Sequence, residues 1–450
     1  MRRNLILLGA ALVAAPAGAA AQDAPSTRTG GRVAFWESVG DPTLVRLVRQ
    51  ALSANGDVRA AAARVEQARA VRTESAFDLA PTVTAVAAYS RQRLPVASVP
   101  GSSVRGPDHS YYDAGLEASW ELDLFGRVRG GVRGRSALVG SSEASAEDVQ
   151  LLVTAELARS YVAMRGLQEQ LAVARENAAN QERTLALTRR RLEAGRGNEL
   201  DTERAQAQLS LTQAAALDIQ ARVTAEQFRI AVLTGREPEP LVAELDSARP
   251  FPTLPAITIP SGVESLARRR PDVVSAEHQA AAAAAFHRAA KAEYLPRVTL
   301  VGGVGVASNQ FDRLGGNGTS RFAFGPVISW PLLNLGRVRA NAHAARAERT
   351  AADARYEQAV REAGEEIRTS IVRYGSARER LALLEQAAAS SRRASNLARL
   401  RFESGAADFL QVLDADRTRL AAEEQLARAR AEAGTLLVGL YRAAGAEVMP

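Results

Sequence analysis

Cysteine and histidine, two residue types that often carry catalysis or bind a metal, are scarce in this sequence of 450 residues, and its many carboxylates are scattered along predicted helices. Cysteine is absent, which excludes thiol catalysis and disulfide bonds within the chain. The four histidines are not spaced as metal ligands, and no serine nucleophile motif or phosphate-binding glycine loop occurs. We therefore expect no enzyme, no cofactor and no metal site. The histidines are His109, His278, His287 and His343.

Charged side chains of both signs are interspersed along the chain. The 57 basic and 50 acidic residues give a formal net charge of +7, an excess too small to favour a nucleic-acid partner. Near the end of the chain, the segment FLQVLDADR at 409–417 places Asp414 and Arg417 three positions apart. On a helix this spacing forms an ordinary surface ion pair, which is one interpretation of these two residues.

The N-terminal segment is typical of a secretory signal peptide. Two arginines precede an apolar run from Leu5 to Ala15, and small residues follow before Gln22, which predicts a signal peptide over 1–21. No later segment has the ~20 consecutive apolar residues of a membrane-spanning helix. Because no cysteine is available for acylation, we expect an exported chain without a lipid anchor, which would use strands to enter a membrane.

The chain contains an internal duplication. Segments 57–81 and 272–296 share their length and pattern, and WELDLFGRVR at 120–129 is repeated as WPLLNLGRVR at 330–339. Between the two copies lies a proline-rich, irregular segment. The expected division is a first repeat over 22–233, a connector over 234–262, a second repeat over 263–442 and a C-terminal tail over 443–450.

Each repeat is expected to contain two strands. Apolar and polar residues alternate over about ten positions, and loops rich in Gly, Pro, Ser and Asn join the pairs, as in a membrane barrel. Two ordinary hairpins on a soluble domain are the alternative, and Pro326 argues against regular pairing of the fourth strand. The expected strands lie at about 82–91, 111–121, 298–308 and 321–330.

Two long helices follow the strands in each repeat. Apolar residues recur every seven positions from Leu157 and, at mostly matching places, from Ile367, which predicts coiled-coil packing. Gly195 and Gly405 supply the left-handed residue at which each rod ends and turns back. The expected helices lie at about 127–194, 199–233, 337–403 and 408–442.

Four strands are too few to close a barrel. An open sheet edge in lipid leaves backbone groups without hydrogen-bond partners. If the strands enter a membrane, the barrel must therefore be shared between chains.

Three sets of residues together resemble those of a known family: the paired W-x-x-x-x-x-G-R motifs, RRRPDV at 268–273 and FLQVLDADR at 409–417. In order along the mature chain, they resemble the TolC-like outer-membrane efflux proteins, particularly the NodT and OprM branch, the outer-membrane factors of tripartite efflux systems. The resemblance implies an α+β membrane protein in which three chains share a twelve-stranded β-barrel. A coiled-coil α-helical tunnel with a mixed equatorial belt would continue the barrel into the periplasm. The branch usually carries a lipidated cysteine, which this chain lacks.

The resemblance also assigns roles to residues. Leu410 would narrow the periplasmic aperture, Asp414 would form an acidic ring around it, and Arg417 would link it to neighbouring helices. In the first repeat Arg204 aligns with Asp414, so the two hairpins differ in charge. The tips that meet an adaptor would be Gly195, Arg196, Gly405 and Ala406, and the barrel-to-tunnel junctions would be Trp120, Gly126, Arg127, Trp330, Gly336 and Arg337.

The function that the resemblance implies is that of a passive exit duct. A homotrimer in the outer membrane of a Gram-negative bacterium, in contact with its lipids, would receive substrates from an inner-membrane pump of the RND type through a periplasmic adaptor. Whether Asp414 gates the duct or selects cations stays open. An exit duct for type I protein secretion and a soluble periplasmic coiled-coil scaffold are the alternatives.

Overall fold

The computed structural model describes residues 35–93, 108–195, 197–247, 251–257 and 262–447. The predicted signal peptide, 1–21, lies outside these residues. Each half of the described chain runs through two shorter helices, two strands and two long helices in the same order. One short helix lies between the halves, and every predicted strand and long helix begins and ends within two residues of its expected position.

The first half contains α1 (Pro42–Ala54), α2 (Gly56–Phe77), β1 (Thr82–Gln92), β2 (His109–Leu122), α3 (Arg127–Glu193) and α4 (Glu199–Thr234). The connecting helix is α5 (Pro238–Leu245). The second half contains α6 (Val263–Arg269), α7 (Pro271–Ala292), β3 (Arg297–Ser308), β4 (Ser320–Ser329), α8 (Leu335–Glu403) and α9 (Phe409–Ala443). The helices α3 and α8 have 67 and 69 residues, which is about 100 Å each at ~1.5 Å per residue.

The four strands form one antiparallel sheet in the order β1-β2-β3-β4. Since the order follows the chain, β1 and β4 are its two edges, and neither edge has a partner within the described chain. The register through Pro326 is unbroken, with this residue opposite Leu300. The expectation that Pro326 disturbs the pairing is therefore wrong, and the sheet of the single chain tolerates this residue because β4 is its edge strand.

The register places apolar side chains on one face of the sheet. Leu116 stands opposite Ala85 on one side and Val304 on the other, and Val304 is in turn opposite Phe322. Three aromatic residues on this face, Tyr89, Phe322 and Phe324, are exposed in the single chain, Phe324 to 83%. On the other face the carboxylate of Asp113 in β2 accepts two hydrogen bonds of 2.5 Å from the guanidinium of Arg321 in β4.

The helices form four parallel rows that contact one another in sequence. Row one consists of α2 and α4, which lie along α3, the second row. On its other side α3 contacts α7 and α9, the third row, and these contact α8, the fourth. Rows one and four therefore each keep an outer side that no neighbouring row of the described chain covers.

Two equivalent joints connect the helices that share a row. The side chain of Asn55, before α2, donates a hydrogen bond of 3.0 Å to the carbonyl oxygen of Leu233 near the end of α4. The side chain of Arg270, before α7, donates one of 3.2 Å to that of Ala443, the last residue of α9. Each joint thus satisfies a carbonyl group that the helix end leaves free.

The largest apolar core lies midway along the long helices. The short helices α1 and α5 pack there against α3, α4 and the end of α9. Its largest fully buried side chains include Trp36, Leu157, Tyr161, Ile230 and Tyr441. A smaller apolar cluster lies near the far end of the long helices.

In the described part of the chain, no helix combines the length and the apolar character needed to cross a bilayer.

Candidate functional site

The duplicated ten-residue segments lie where the sheet meets the long helices. The indole Nε1 of Trp120, near the end of β2, donates a hydrogen bond of 2.9 Å to the carbonyl oxygen of Leu79. Trp330, directly after β4, donates the equivalent bond of 3.1 Å to Tyr294. Each acceptor lies in the turn that leads into the other strand of the pair. The two tryptophans therefore tie their strand pairs together at the helix side of the sheet.

The glycines of the two segments have different conformations. Gly126 has a φ of +81°, and Asp123 accepts hydrogen bonds of 3.1 and 2.7 Å from two backbone amides of the first turn of α3. Gly336 is already the second residue of α8, which begins two residues earlier than expected and has no side-chain cap. At the place of Asp123 the second copy has Leu333, which is fully exposed. The first junction is thus a capped turn and the second is not.

The arginines of the two segments differ in the same way. Arg127 donates hydrogen bonds of 2.9 and 2.6 Å to the carboxylate of Glu121. The second copy has Pro331 at that place, and Arg337 is exposed and has no ion pair among the described residues. Only the first junction can therefore hold its arginine by charge.

The pairs α3 with α4 and α8 with α9 form what we call the first hairpin and the second hairpin. The turns use Gly195 and Gly405, with φ values of +65° and +77°, a left-handed conformation that favours glycine because it has no Cβ atom. The next helix begins with Asn198 in one case and Asp408 in the other, and each side chain accepts a hydrogen bond from an amide of the first turn. The two turns therefore have the same construction.

The tips of the two hairpins contact each other through an arginine that the sequence analysis missed. The guanidinium of Arg191 lies 3.8 Å from the ring centre of Phe402 and donates a hydrogen bond of 3.2 Å to its carbonyl oxygen. Ala406 closes the second turn with a backbone hydrogen bond of 2.8 Å to Arg401. Arg196 lies outside the described residues.

The three residues expected at the aperture lie along one helix, α9. Leu410 is 60% exposed, and Asp414 and Arg417 are exposed as well. Within the described chain no ion pair joins Asp414 to Arg417, so the ordinary surface pair is not formed. Arg204, aligned with Asp414, lies 4.0 Å from Asp201 of its own helix. The exposed side of Asp414 is therefore available to a neighbouring surface.

Arg417 also lines a narrow crevice between the two hairpins. Gln181 of α3 faces it and is only 9% exposed, yet neither atom of its amide has a hydrogen-bond partner among the described residues. Asp416 lines the same crevice from α9. The crevice thus holds these polar groups beside apolar side chains of both hairpins, such as Ala205 and Val412.

A buried network of charges crosses the second hairpin. Arg419 and Glu423 of α9 are each 7% exposed and joined by a hydrogen bond of 2.9 Å, and Arg392 of α8 donates one of 3.0 Å to the same carboxylate. Asp416 accepts a hydrogen bond of 2.5 Å from the hydroxyl of Ser395. Arg399 and Arg419 lie 3.4 and 3.8 Å from that carboxylate.

The first hairpin has no such network at the equivalent places, 210 positions earlier. Leu185 and Leu209 stand at the positions of Ser395 and Arg419, and both leucines are buried in an apolar cluster. Gln206 replaces Asp416 and accepts a hydrogen bond of 2.9 Å from Arg189. One sequence signal pointed to this difference, since Ser395 is a polar residue in a heptad seam that is otherwise largely apolar.

The RRRPDV segment at 268–273 connects helices of the second half through ion pairs. Arg270 donates hydrogen bonds of 3.0 and 2.8 Å to Asp272 and one of 2.7 Å to Glu366 of α8. Arg442 of α9 also binds Glu366. Burial alone would raise the pKa of Glu366, but these two arginines hold it below its ordinary value. This carboxylate therefore joins α7, α8 and α9 at the joint of their rows.

The described residues contain no group of three or more His, Asp or Glu side chains arranged to hold a metal ion.

Comparisons with known proteins agree with this geometry. The family model described as outer membrane efflux protein matches residues 47–236 and 262–446. The chain belongs to the outer membrane efflux protein family. The two matched pieces leave out 237–261, which falls inside the proline-rich connector and separates the two halves of the fold.

Several members of this family are similar to the chain along nearly its whole length. The outer membrane protein OprJ of Pseudomonas aeruginosa is 31% identical over 421 residues, covering 91% of this chain and 85% of the relative. The solvent efflux pump outer membrane protein SrpC of Pseudomonas putida is 30% identical over 406 residues, covering 90% and 85%. The outer-membrane channel OprN has a solved structure with a TM-score of 0.86 and 38% identity, covering 91% and 92%.

These findings confirm the predicted TolC-like family and the predicted function of an outer-membrane efflux channel. The family is one of transport channels rather than of enzymes. Because the relatives are named as outer membrane components of efflux pumps, type I protein secretion is not favoured.

Proposed function

We propose that three copies of this chain form one passive exit duct in the outer membrane of a Gram-negative bacterium. The observation that carries the proposal is the four-stranded sheet, which combines one apolar face with two edges that no other strand of the described chain pairs with. Lipid can cover such a face, but the edges must pair with other strands. Pairing β4 of one chain with β1 of the next satisfies both edges and repeats until a ring closes.

The number of copies follows from the strand count. Two copies would give eight strands, and the interior of an eight-stranded barrel is filled by side chains or one small ligand. Three copies give twelve strands, which leave room for a lumen. The polar face, with the Asp113–Arg321 pair, would line this lumen.

The aromatic residues support the same placement of the sheet in a bilayer. Tyr89 and Tyr112, whose ring centres are 4.9 Å apart, lie toward the hairpin loop, and Trp120 and Trp330 lie at the helix side. Tyr112 and Trp120 lie eight positions apart in β2, which is about 26 Å along the strand at ~3.3 Å per residue and about 20 Å along the membrane normal at a strand tilt of ~40°. The apolar band of a membrane barrel is ~25 Å tall and flanked by aromatic girdles.

The helical rows support a ring of chains as well. Exposed large apolar side chains concentrate on the outer rows, where a neighbouring copy would bury them. A head-to-tail contact between row four of one chain and row one of the next would continue the tube below the barrel. These side chains are Leu200, Leu211, Leu217, Phe228 and Val232 on α4 and Val372, Leu383, Leu397 and Leu400 on α8.

In this arrangement the first repeat (22–233), the connector (234–262), the second repeat (263–442) and the tail (443–450) would form barrel, tunnel and equatorial belt. The belt would correspond to the core around α1 and α5. The chain contains no cysteine, which supports a duct without a thioether-linked lipid. The helical part would then lie in the periplasm.

The partners of the duct would be a periplasmic adaptor and an inner-membrane pump, which we assign to the RND type. The chain has no nucleotide motif, so the energy for transport must come from another protein. Relatives such as SrpC carry the name of an efflux pump component. The turns with Gly195 and Gly405, together with Arg196 and Ala406, are the proposed contact for the adaptor.

The aperture would form where Leu410 and Asp414 of three chains converge, with Arg417 reaching the adjacent hairpin. Three carboxylates around a narrow opening repel one another and attract cations. The test is the closed-state conductance of the purified trimer in planar bilayers. Asp414→Ala should raise that conductance or reduce cation selectivity, and Arg204→Ala is the matched control at the aligned place. Unchanged conductance and selectivity in Asp414→Ala would remove its role in the aperture.

The native mass of the protein in a detergent extract of the outer membrane tests the duct itself. We expect a species of three chains, each with a full-sequence mass of 47.9 kDa, that conducts ions in planar bilayers. A monomer released with the soluble periplasm would contradict the duct and favour the coiled-coil scaffold.

A further inference from the structure

A groove lies on the concave side of the four helical rows. It has a volume of about 680 Å³, in the range of small-molecule sites. Its walls come from α2, α3, α7 and α8, one helix from each row. Rows one and four are separated by rows two and three. A single groove can therefore reach both outer rows only if the four rows curve around it. In the proposed duct this is the lumen side.

The charges of the groove are unbalanced. Arg64, Arg135 and Arg355 line it against a single acidic residue, Glu348, which leaves a net charge of +2. Arg355 pairs with Glu348 at 2.9 Å. Among the described residues, Arg64 and Arg135 form no ion pair with a carboxylate. Two guanidinium groups from adjacent helices are therefore free to bind an anion, and guanidinium recognises carboxylates and related anions with two parallel hydrogen bonds.

The floor of the groove is apolar and firmly built. Phe286 of α7 packs over Gly134 of α3, where a Cβ atom would lie 2.4 Å from its ring. The guanidinium of Arg135 lies 5.7 Å from the centre of the same ring. Val71 and Leu138 extend the apolar surface. A planar aromatic body placed here would contact Phe286 while its acidic group reached the two arginines.

Polar side chains at one end of the floor are held in place by hydrogen bonds. The amide nitrogen of Gln279 donates to the hydroxyl of Ser141 at 3.2 Å, and that hydroxyl lies 2.9 Å from the hydroxyl of Ser275. A positioned amide beside an apolar floor offers one further directional contact to a ligand.

We propose that this groove binds organic anions with an aromatic body, such as aromatic sulfonates and carboxylates, and acts as a way station for them inside the duct. The way-station role rests on the proposed duct, whereas binding by the groove is a property of the single chain. Arg64 and Arg135 bind the acidic group and Phe286 contacts the ring.

Calorimetric titration of the purified protein in detergent with naphthalene-2-sulfonate tests this proposal. Arg64→Gln/Arg135→Gln should weaken binding about five- to tenfold, because two exposed charge contacts are lost. The matched control is Arg59→Gln/Arg133→Gln, which removes two exposed arginines from the same helices outside the groove. The control should bind like the original protein, and 2-naphthylmethylammonium, a cation with the same ring system, should bind much more weakly to all three proteins.

Equal binding by the two double variants, or equal affinity for the cation and the sulfonate, would contradict the proposed anion site in the groove. Either result would indicate general adsorption to apolar surface. Mass and conductance of the same preparation keep the two proposals apart. A conducting trimer without specific binding would contradict only the groove. A monomer that binds the sulfonate through Arg64 and Arg135 would keep the groove and contradict the duct and the way station.

Discussion

The first and second hairpins share one backbone plan but fill the equivalent layer with opposite chemistry. Leu185 and Leu209 of the first hairpin are buried in an apolar cluster to which side chains of the second hairpin also contribute. Ser395 and Arg419 occupy these places in the second, where Arg419 is 7% exposed between two carboxylates. The duplicated backbone therefore does not dictate whether the layer between its helices is apolar or ionic.

This difference affects how each hairpin responds to change. An apolar layer loses stability in proportion to the volume removed, because contacts and burial are lost together. A buried ionic layer contributes little beyond an apolar one of similar size, but removing one partner leaves an unpaired buried charge and costs far more. The second hairpin should therefore be the more fragile one when single charges are removed. This fragility lies in the helix, α9, that carries the proposed aperture.

The largest expected effect comes from removing Arg419. Arg419→Ala leaves Glu423 and Asp416 buried with fewer cationic partners, and should lower the free energy of opening of the second hairpin by about 3–5 kcal/mol. Hydrogen exchange of the backbone amides in 409–423 of the purified protein measures this local opening. Arg428→Ala, which breaks the exposed pair with Glu424, should cost no more than about 1 kcal/mol. Similar costs for both variants would contradict a special role of the buried network.

The converse exchange should damage the first hairpin less. Leu209→Arg places an unpaired cation in the apolar cluster, and should cost about 2–3 kcal/mol because the long side chain can reach partly toward water. The second hairpin has an arginine at the place of Glu182, whose carboxylate lies 3.4 Å from the amide nitrogen of Gln213. Adding Gln206→Asp, Gln213→Glu and Glu182→Arg supplies the partners found in the second hairpin without bringing two carboxylates together, and should recover most of the loss. Hydrogen exchange of 199–213 measures both variants. If the quadruple variant is no more stable than Leu209→Arg, the network depends on neighbours beyond these positions.

A smaller effect is expected at the contact between the tips. Arg191→Ala removes the guanidinium above Phe402 and its hydrogen bond, which should weaken the contact by about 1 kcal/mol. Faster hydrogen exchange near Phe402 is the expected measurement. Arg401→Ala, at the aligned place in the second hairpin, is the control and should leave this exchange unchanged. Equal exchange in both variants would show that Arg191 does not hold the tips together.

The smallest effect is expected in the pH dependence of two aligned carboxylates, Glu156 and Glu366. Arginines lower the pKa of both carboxylates. For Glu156 the largest effect is the hydrogen bond from Arg159, which lowers the pKa against the opposing effect of burial. For Glu366 burial is the largest single effect and raises the pKa, but the arginines together outweigh it. A lowered pKa in the folded state means that the pairing stabilises the fold above the unfolded value of ~4.3 and is lost as pH falls through the folded value. Glu366→Gln should therefore be less stable than the original protein at neutral pH, and the difference should shrink below that pH.

The matched variant Glu156→Gln should show a smaller difference, since its arginine partners are 42% and 49% exposed, whereas Arg270 beside Glu366 is 14% exposed. Thermal unfolding at neutral pH and at a pH below ~4 measures both variants. A difference for Glu366→Gln that persists unchanged at the lower pH would contradict the assignment to its charge.

Periodicity and turn chemistry made much of the fold predictable. Gly195 and Gly405 marked the ends of the long helices because only a left-handed residue lets a helix end and reverse there. The heptad seam from Leu157 and Ile367 indicated which side of each rod is buried, since the period of a helix fixes its faces. The two ten-residue copies marked the passage from strand to helix, because this passage too depends on residues that are close together in the sequence.

The contacts of the candidate site were less predictable. The pairs that Arg419 and Glu423 form depend on how far α8 slides along α9, which no local pattern reports. Arg191 reaches Phe402 across 211 positions of sequence, and its neighbourhood gives no sign of this contact. Two signals in the sequence could have pointed to the ionic layer: polar Ser395 in a largely apolar seam, and a comparison of the two copies, which reveals Arg419 at the place of Leu209.

Disulfide crosslinking between the sheet edges tests the shared duct most directly. The chain has no cysteine, so one cysteine at Ala87 of β1 can be combined in turn with one at each position of 321–327 in β4. Within one chain three strand spacings, about 14 Å, separate β1 from β4, which is beyond the ~7 Å limit for a disulfide. The account predicts that oxidation of outer membranes produces covalently linked dimers and trimers at a matching register. Absence of linked chains for every pair, with the protein present in the outer membrane, would contradict the shared barrel.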